Sequence, residues 1–188
     1  VRGIGNSYGF AANSILPDVT EILYFFYEPR PSAIQAGFLV RDPATGAISN
    51  PCTQSGYRNV PCNNGSVNLA RNTGFSLPSG LVNSYFVDPV TQNISNGLAS
   101  FGNLYTGTYR ATATSVPDGW RVAGYHICGE NTNAGNCFPA SGNVTAGNSF
   151  PVGISANRTR PVFFVLEPSQ IIIKGDKKGP GTFNSNQN

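Results

Sequence analysis

The chain has 188 residues, of which 39% are hydrophobic and 11% aromatic, a composition that predicts a folded domain rather than a disordered segment. Only 11% are charged, and no basic run with interleaved aromatic residues occurs, which argues against nucleic acid as a partner. No apolar stretch reaches the ~18 residues of a membrane-spanning helix. The net charge is +3, and with only nine carboxylates to pair we expect the fold to tolerate low pH.

Residues 1–14 form a glycine-rich leader that we predict to be an extended strand, whose side chains alternate between two faces. One face carries the apolar residues Ile4, Tyr8 and Phe10, and the other carries the glycines Gly3, Gly5 and Gly9. This pattern suits a donor strand that fills pockets in another molecule while its bare face passes close to a covering sheet. The alternative is that the leader is the first edge strand of its own sandwich.

The rest of the chain predicts an all-β fold, because helical periodicity is hard to find and proline and glycine interrupt short β-rich runs. The predicted strands span residues 22–27, 37–41, 81–87, 107–116, 121–128, 150–156, 161–166 and 170–174. We predict an Ig-like or Greek-key β-sandwich over residues 15–174, with little or no helix, followed by a polar tail over residues 175–188.

Four cysteines lie in two close pairs, and local closure of two polar loops is the simplest of the three pairings that four cysteines allow. The predicted disulfides are Cys52–Cys62 and Cys128–Cys137. A zinc site is not expected, because the chain has one histidine and no Cys-x2-Cys spacing. Disulfides imply an oxidising compartment, and a chain that begins at Val1 without Met predicts a secreted product after removal of a signal peptide.

Four Asn-x-Ser/Thr triplets are candidate glycosylation sites. They are Asn64, Asn93, Asn143 and Asn157.

Catalytic chemistry is not predicted. The single histidine, His126, shares a strand face with Cys128, but a disulfide-bonded cysteine is no nucleophile, and the carboxylates are scattered singly. Trp120 and Tyr125 suit a sugar-stacking platform, with core packing as the alternative reading for Trp120. We predict no enzymatic activity, no cofactor and no metal.

The stretch Ser115–Ile127, SVPDGWRVAGYHI, follows LYTGTYRATAT, and the order Gly-Thr-Tyr and then Val-Pro-Asp-Gly-Trp resembles the late hairpin of Cna-B and transthyretin-like surface sandwiches. That family often carries a Lys–Asn isopeptide bond. No lysine precedes position 174 in this chain, so the bond is not carried over.

The architecture as a whole resembles donor-strand-exchanging pilus and thread subunits of bacteria and archaea. The resemblance implies a head-to-tail polymer of copies in which Ile4, Tyr8 and Phe10 act as the donor side chains. We therefore expect a structural subunit of an extracellular filament at the cell surface. The alternative is a monomeric, secreted carbohydrate-binding or adhesin domain that contacts host or cell-surface glycans.

Overall fold

Two β-sheets pack face to face in the part of the chain that the computed structural model describes, residues 31–52, 62–72, 88–139 and 144–169. Several predictions fall outside these residues: the leader 1–14 with Ile4, Tyr8, Phe10, Gly3, Gly5 and Gly9, the strands 22–27, 81–87 and 170–174, the sequon at Asn143, and the tail 175–188.

Nine strands and one short 3-10 turn make up the described residues, which confirms the predicted all-β sandwich. The strands are β1 Ser32–Arg41, β2 Ile48–Ser49, β3 Ser66–Arg71, β4 Val90–Asn93, β5 Leu98–Leu104, β6 Gly107–Ser115, β7 Trp120–Ile127, β8 Ser149–Ile154 and β9 Thr159–Pro168. The 3-10 turn is Ala134–Asn136. The predicted strands 37–41, 107–116, 121–128, 150–156 and 161–166 match β1, β6, β7, β8 and β9, whereas β2 to β5 were not predicted.

The two sheets differ in how their strands run. Sheet A contains β1 at its centre, with β2 and β5 pairing along one side and β9 and then β7 on the other. The β1–β9 pair is parallel, in register from Ala33 opposite Thr159 to Val40 opposite Leu166. Sheet B has the order β4-β3-β6-β8 and is antiparallel throughout.

The main core lies between the sheets and follows the alternation of each strand. In β6, Tyr109 and Ala111 point inward and are fully buried, while Arg110 is exposed on the other face. Two core rings, Phe38 and Phe164, meet edge to face with centroids 6.2 Å apart. Such pairs add to the stability that burial of aromatic area gives.

The strands β1 and β9 are buried on both faces, because an apolar layer also covers the outside of sheet A. Leu39, Phe163 and Val165 point away from the main core, and none is more than 4% exposed. They form a second cluster with Cys128 and Cys137. Burial on both faces explains why these strands read as continuous apolar runs in the sequence.

Gly37, in the middle of β1, is tightly confined by its cross-strand neighbours Leu98 in β5 and Phe163 in β9 and by the β4–β5 turn. A Cβ at this position would lie 2.9 Å from Leu98 Cδ2 and 2.9 Å from Phe163 Cε1, and closer still to the Gly97 carbonyl oxygen. No side chain fits there without moving the backbone of the β4–β5 turn. Gly102 in β5, by contrast, has open space around its missing Cβ.

We predict that Gly37→Ala destabilises the protein by about 1–3 kcal/mol, the usual cost of overpacking a filled core. Gly102→Ala is the matched control and should change the unfolding free energy by less than about 0.5 kcal/mol, as surface substitutions usually do. Urea unfolding of both variants measures the difference. Equal stabilities for Gly37→Ala and the wild-type chain would contradict the close approach.

Candidate functional site

Both predicted disulfides are present. The Cα atoms are 5.0 Å apart in Cys52–Cys62 and 6.0 Å apart in Cys128–Cys137. The first bond packs against the β4–β5 turn, where a Cβ on Gly97 would lie 2.8 Å from the Cys52 sulfur. The second belongs to the outer apolar cluster. Disulfides indicate an oxidising compartment, as the sequence predicts.

The Cys128–Cys137 loop is held in place by backbone and side-chain hydrogen bonds. The Cys128 N–H donates to the Pro161 carbonyl (3.0 Å), and Asn131 forms a reciprocal pair with the backbone of Thr159 (2.6 and 3.1 Å). Asn133 caps the short 3-10 turn by accepting from the Gly135 N–H. The loop is therefore a fixed surface rather than a loose connection.

Phe138 follows this disulfide and is 41% exposed, which makes it the one large hydrophobic side chain that stands out from the described surface. Its neighbours in sequence, Cys137 and Pro139, are buried, so the backbone on either side of it is anchored. An aromatic side chain presented on an ordered loop is suited to contact with another molecule. The sequence did not identify this residue as a candidate, because sequence alone does not distinguish an exposed phenylalanine from one in the core.

His126, Cys128 and Cys137 come together on the outer face of sheet A, with their potential ligand atoms all within 4.8 Å of one another. The two sulfurs are bonded to each other, so in the oxidised protein neither can act as a thiolate nucleophile or ligand. Partial burial lowers the pKa of His126, because removal of water disfavours the imidazolium ion. The arrangement is that of a neutral histidine beside a structural disulfide.

The two aromatic residues predicted for sugar stacking differ in burial. Trp120 is 9% exposed and belongs to the main core, whereas Tyr125 is partly buried and its ring stacks on the buried Phe150 with centroids 4.0 Å apart. The position of Trp120 agrees with the core-packing alternative, and sugar stacking stays a prediction. A β-bulge between Val122 and Gly124 turns Tyr125 inward, toward the same side as Trp120.

Three of the four candidate glycosylation residues fall in the described part of the chain, and all three are exposed. Asn93 ends β4, Asn64 precedes β3, and Asn157 lies in the β8–β9 turn with a positive φ of 57°. Their exposure is compatible with glycosylation, which stays a prediction.

One edge of sheet B, along β8, is obstructed at several of its backbone groups. The Ala113 N–H donates to the Asn148 carbonyl, so the alternation of the ladder turns the backbone groups of Ser149, Pro151 and Gly153 outward. Proline has no N–H to offer there. Arg160 Nη1 donates to the Gly153 carbonyl (2.5 Å).

Glu130 obstructs the end of β8 in a similar way, by binding a backbone N–H group. Its carboxylate accepts from the Ser155 N–H (2.7 Å), and this bond is the main reason that the pKa of Glu130 is lowered. Arg160 lies 3.8 Å from the same carboxylate. A strand that approached β8 would have to displace these groups.

The opposite edge of sheet B, along β4, has no comparable closure among the described residues. The Ile94 N–H donates to the Gly65 carbonyl, which sets the alternation and turns the N–H and C=O groups of Thr91 and Asn93 outward. No hydrogen bond within residues 31–52, 62–72, 88–139 and 144–169 occupies these backbone groups. An edge of this kind can pair with another strand.

The edges of sheet A are both modified. On the β7 side, Thr145 exchanges two backbone hydrogen bonds with Tyr125 (2.8 and 3.1 Å). On the β5 side, the register against β1 shifts at an extra residue, where Asn103 has a positive φ of 55°. Such bulges interrupt the row of pairing groups. Sequence reasoning located none of these edges, since each depends on which strands become neighbours.

No helix in the described ranges is long and apolar enough to cross a membrane.

Comparison with known proteins gives a likeness of architecture only. No protein-family model and no curated protein matches the sequence. Among solved structures, the minor pilin GBS52 of Streptococcus agalactiae is 13% identical (TM-score 0.45), with 82% of this chain and 49% of that one covered. The major pilin SpaD of Corynebacterium diphtheriae is 13% identical (TM-score 0.38; 78% and 34% covered), and the major pilin subunit BcpA of Bacillus cereus is 18% identical (TM-score 0.34; 74% and 30% covered). The chain thus spans half or less of each of these proteins.

We predict that replacing Cys128 and Cys137 together with serine lowers the unfolding free energy by about 2–3 kcal/mol, the loop-entropy value for a loop of this length. Peptide mapping without reduction should recover the pairs Cys52–Cys62 and Cys128–Cys137. Chemical denaturation of the double variant then gives the magnitude. Recovery of a Cys52–Cys128 peptide would overturn both the pairing and the loop argument.

We also predict a pH dependence that belongs to His126. Its pKa is lowered in the folded state, so the unfolded chain takes up the proton first. The contribution of neutral His126 is therefore complete above the ordinary pKa of 6.5 and is lost progressively as the pH falls below it. Unfolding free energies measured across this range should decline in the wild-type chain and stay flat in His126→Gln. A parallel decline in both proteins would assign the effect to other groups.

Proposed function

We propose that the chain is a structural, non-enzymatic subunit of an extracellular filament, in which the N-terminal segment of one copy adds as a strand to a sheet of the next. The observation that carries this proposal is the asymmetry of sheet B. Its β8 edge is obstructed at Pro151, at the Gly153 carbonyl by Arg160 and at the Ser155 N–H by Glu130, while no such obstruction occurs along its β4 edge among the described residues. A subunit that joins by strand addition needs one accepting edge and no competing one.

The leader suits the accepting edge in its chemistry. One face of residues 1–12 carries Ile4, Tyr8 and Phe10 together with Arg2 and Asn6, and the other face carries mostly small side chains, a pattern that suits a strand covering a core on one face. The β4 edge offers neutral polar side chains, Thr91, Gln92 and Asn93, which neither repel nor select by charge. Backbone hydrogen bonds would supply affinity, and the side chains of Ile4, Tyr8 and Phe10 would supply register.

The composition supports an extracellular location and a polymer of copies. The chain carries two disulfides, and few charged residues stand on the surface to repel identical neighbours. A contact that joins the head of one copy to the tail of the next does not close on itself, and repetition produces a filament.

A second candidate function is a monomeric adhesin domain, and Phe138 is the observation that favours it. This ring stands on the loop closed by Cys128–Cys137 and is open to a partner. Trp120 belongs to the main core and Tyr125 stacks on Phe150, so this candidate function does not rely on sugar stacking by these two rings. A contact at Phe138 would be hydrophobic rather than specific for glycans.

We predict that removing residues 1–12 abolishes filaments in negative-stain micrographs, because the polymer loses its donor. Tyr8→Asp combined with Phe10→Asp should have the same effect, since it would bury unpaired charge. Removing the tail 175–188 is the control and should leave filaments intact. Added in excess, a peptide of residues 1–14 should hold the truncated chain as a capped monomer.

A matched pair of proline variants tests the accepting edge. Thr91→Pro removes an outward N–H from β4 and the bond from Asn68 Nδ2 to Thr91 Oγ1 (2.9 Å). Ser149→Pro removes an outward N–H from β8 and the bond between Ser149 Oγ and Thr112 Oγ1 (2.8 Å). Both variants should fold, but only Thr91→Pro should fail to polymerise. A truncated chain that stays monomeric with unchanged thermal stability would favour the adhesin domain instead.

A further inference from the structure

Two Asn-Gly steps lie next to each other in the fold, although they are far apart in sequence. Asn64–Gly65 leads into β3, and Asn96–Gly97 forms the β4–β5 turn. The two segments touch: the Asn96 N–H donates to the Asn63 side-chain oxygen (2.6 Å), and the Gly97 N–H donates to the Cys62 carbonyl (2.7 Å). The Cys52–Cys62 disulfide lies over this contact.

An asparagine followed by glycine is open to an internal reaction. The glycine backbone nitrogen attacks the Cγ of the asparagine side chain, a new C–N bond closes a five-membered succinimide, and ammonia leaves. Water then opens the ring at either carbonyl and yields aspartate or isoaspartate. The net change is the loss of one ammonia and the gain of one water. Glycine favours the attack because no side chain shields its nitrogen.

In the folded protein, the nucleophile of the Asn96–Gly97 dipeptide, the Gly97 backbone nitrogen, is held in a hydrogen bond. The Gly97 nitrogen would have to give up its hydrogen bond to Cys62 before it could attack Asn96. Gly97 is also buried, and the turn is fixed by positive φ angles of 51° at Asn96 and 83° at Gly97. Reaction at Asn96 therefore requires local opening of a turn that a disulfide holds in place.

Fewer contacts hold the Asn64–Gly65 dipeptide within the described residues. Asn64 is exposed, and no hydrogen bond within the described ranges involves its side chain or the Gly65 N–H. Gly65 also has a positive φ, of 104°, a Cβ on it would lie 2.5 Å from Phe38 Cε2, and its carbonyl accepts from the Ile94 N–H (2.9 Å). Among the described residues, however, no hydrogen bond has to break before the Gly65 nitrogen attacks Asn64.

We propose that Asn64 is a site of spontaneous deamidation in the folded protein, and that the Cys62 carbonyl and the Cys52–Cys62 disulfide protect Asn96 from the same reaction. Deamidation at Asn64 introduces a negative charge beside β3 and destroys the Asn-Gly-Ser acceptor triplet. Glycosylation and deamidation of Asn64 therefore exclude each other, because both consume the same side-chain amide.

The test is to age unglycosylated protein in mildly alkaline buffer and to follow both sites by peptide mass spectrometry, which resolves aspartate from isoaspartate. In the native protein, Asn64 should react about tenfold faster than Asn96 or more, the factor expected when one buried hydrogen bond must first be broken. In denaturant with the disulfides reduced, the two sites should react at similar rates. Equal native rates, or a faster native reaction at Asn96, would overturn the proposal.

Two variants separate the protective group from the sequence context. Replacing Cys52 and Cys62 together with serine should raise the native rate at Asn96 toward that at Asn64 without changing the latter. Asn64→Gln should remove the fast reaction and leave Asn96 slow. Should the cysteine variant fold poorly, hydrogen exchange of the Gly97 amide in the wild-type chain replaces it. Slow exchange at Gly97 with fast exchange at Gly65 supports the proposal, and the reverse order refutes it.

Discussion

The rest of the structure depends on one constraint, the burial of the parallel β1–β9 pair on both faces. A parallel pair with an apolar surface on each side needs two covers. Sheet B provides one, and the segment that contains the Cys128–Cys137 disulfide contributes to the other, in one cluster with Leu39, Phe163 and Val165. This disulfide therefore does more than staple a flexible loop, since it helps to keep in place a layer whose loss would expose the outside of the central strands.

Close packing explains where glycine is required. Gly37 cannot carry a Cβ without meeting its cross-strand neighbours Leu98 in β5 and Phe163 in β9, and Gly124 cannot carry one without meeting Val144 (2.6 Å). At Gly97 the obstacle is the Cys52 sulfur. Gly124 and Gly97 thus meet loop atoms, whereas Gly37 is confined by neighbouring strands of its own sheet.

The parts of the fold that could be predicted from sequence are the segments whose own residues show a recognisable pattern, such as an apolar run or a close cysteine pair. The apolar runs predicted parts of β1 and β9, and the predicted strand 107–116 matches β6, whose Tyr109 and Ala111 face inward. Local spacing predicted both disulfides. The strands β3 and β4 were missed because they are short and partly polar, and become strands by pairing with β6 and with each other. The bulge in β7 could not be predicted either, since its position depends on the register of β7 against β9.

The edges of sheet B connect these features to the proposed assembly. Glu130 lies in the loop closed by Cys128–Cys137, and its carboxylate holds the Ser155 N–H at the end of β8. The same loop thus covers part of the outer face of sheet A and supplies the carboxylate that obstructs one edge of sheet B. The β4 edge lies on the other side, where the Cys52–Cys62 disulfide holds the β4–β5 turn and with it the end of β4. In a subunit that joins by strand addition, one disulfide would then block pairing at the wrong edge and the other would keep the accepting edge in shape. Loss of each bond should consequently have a different effect: added strands could compete at β8 in the first case, and the accepting strand itself would loosen in the second.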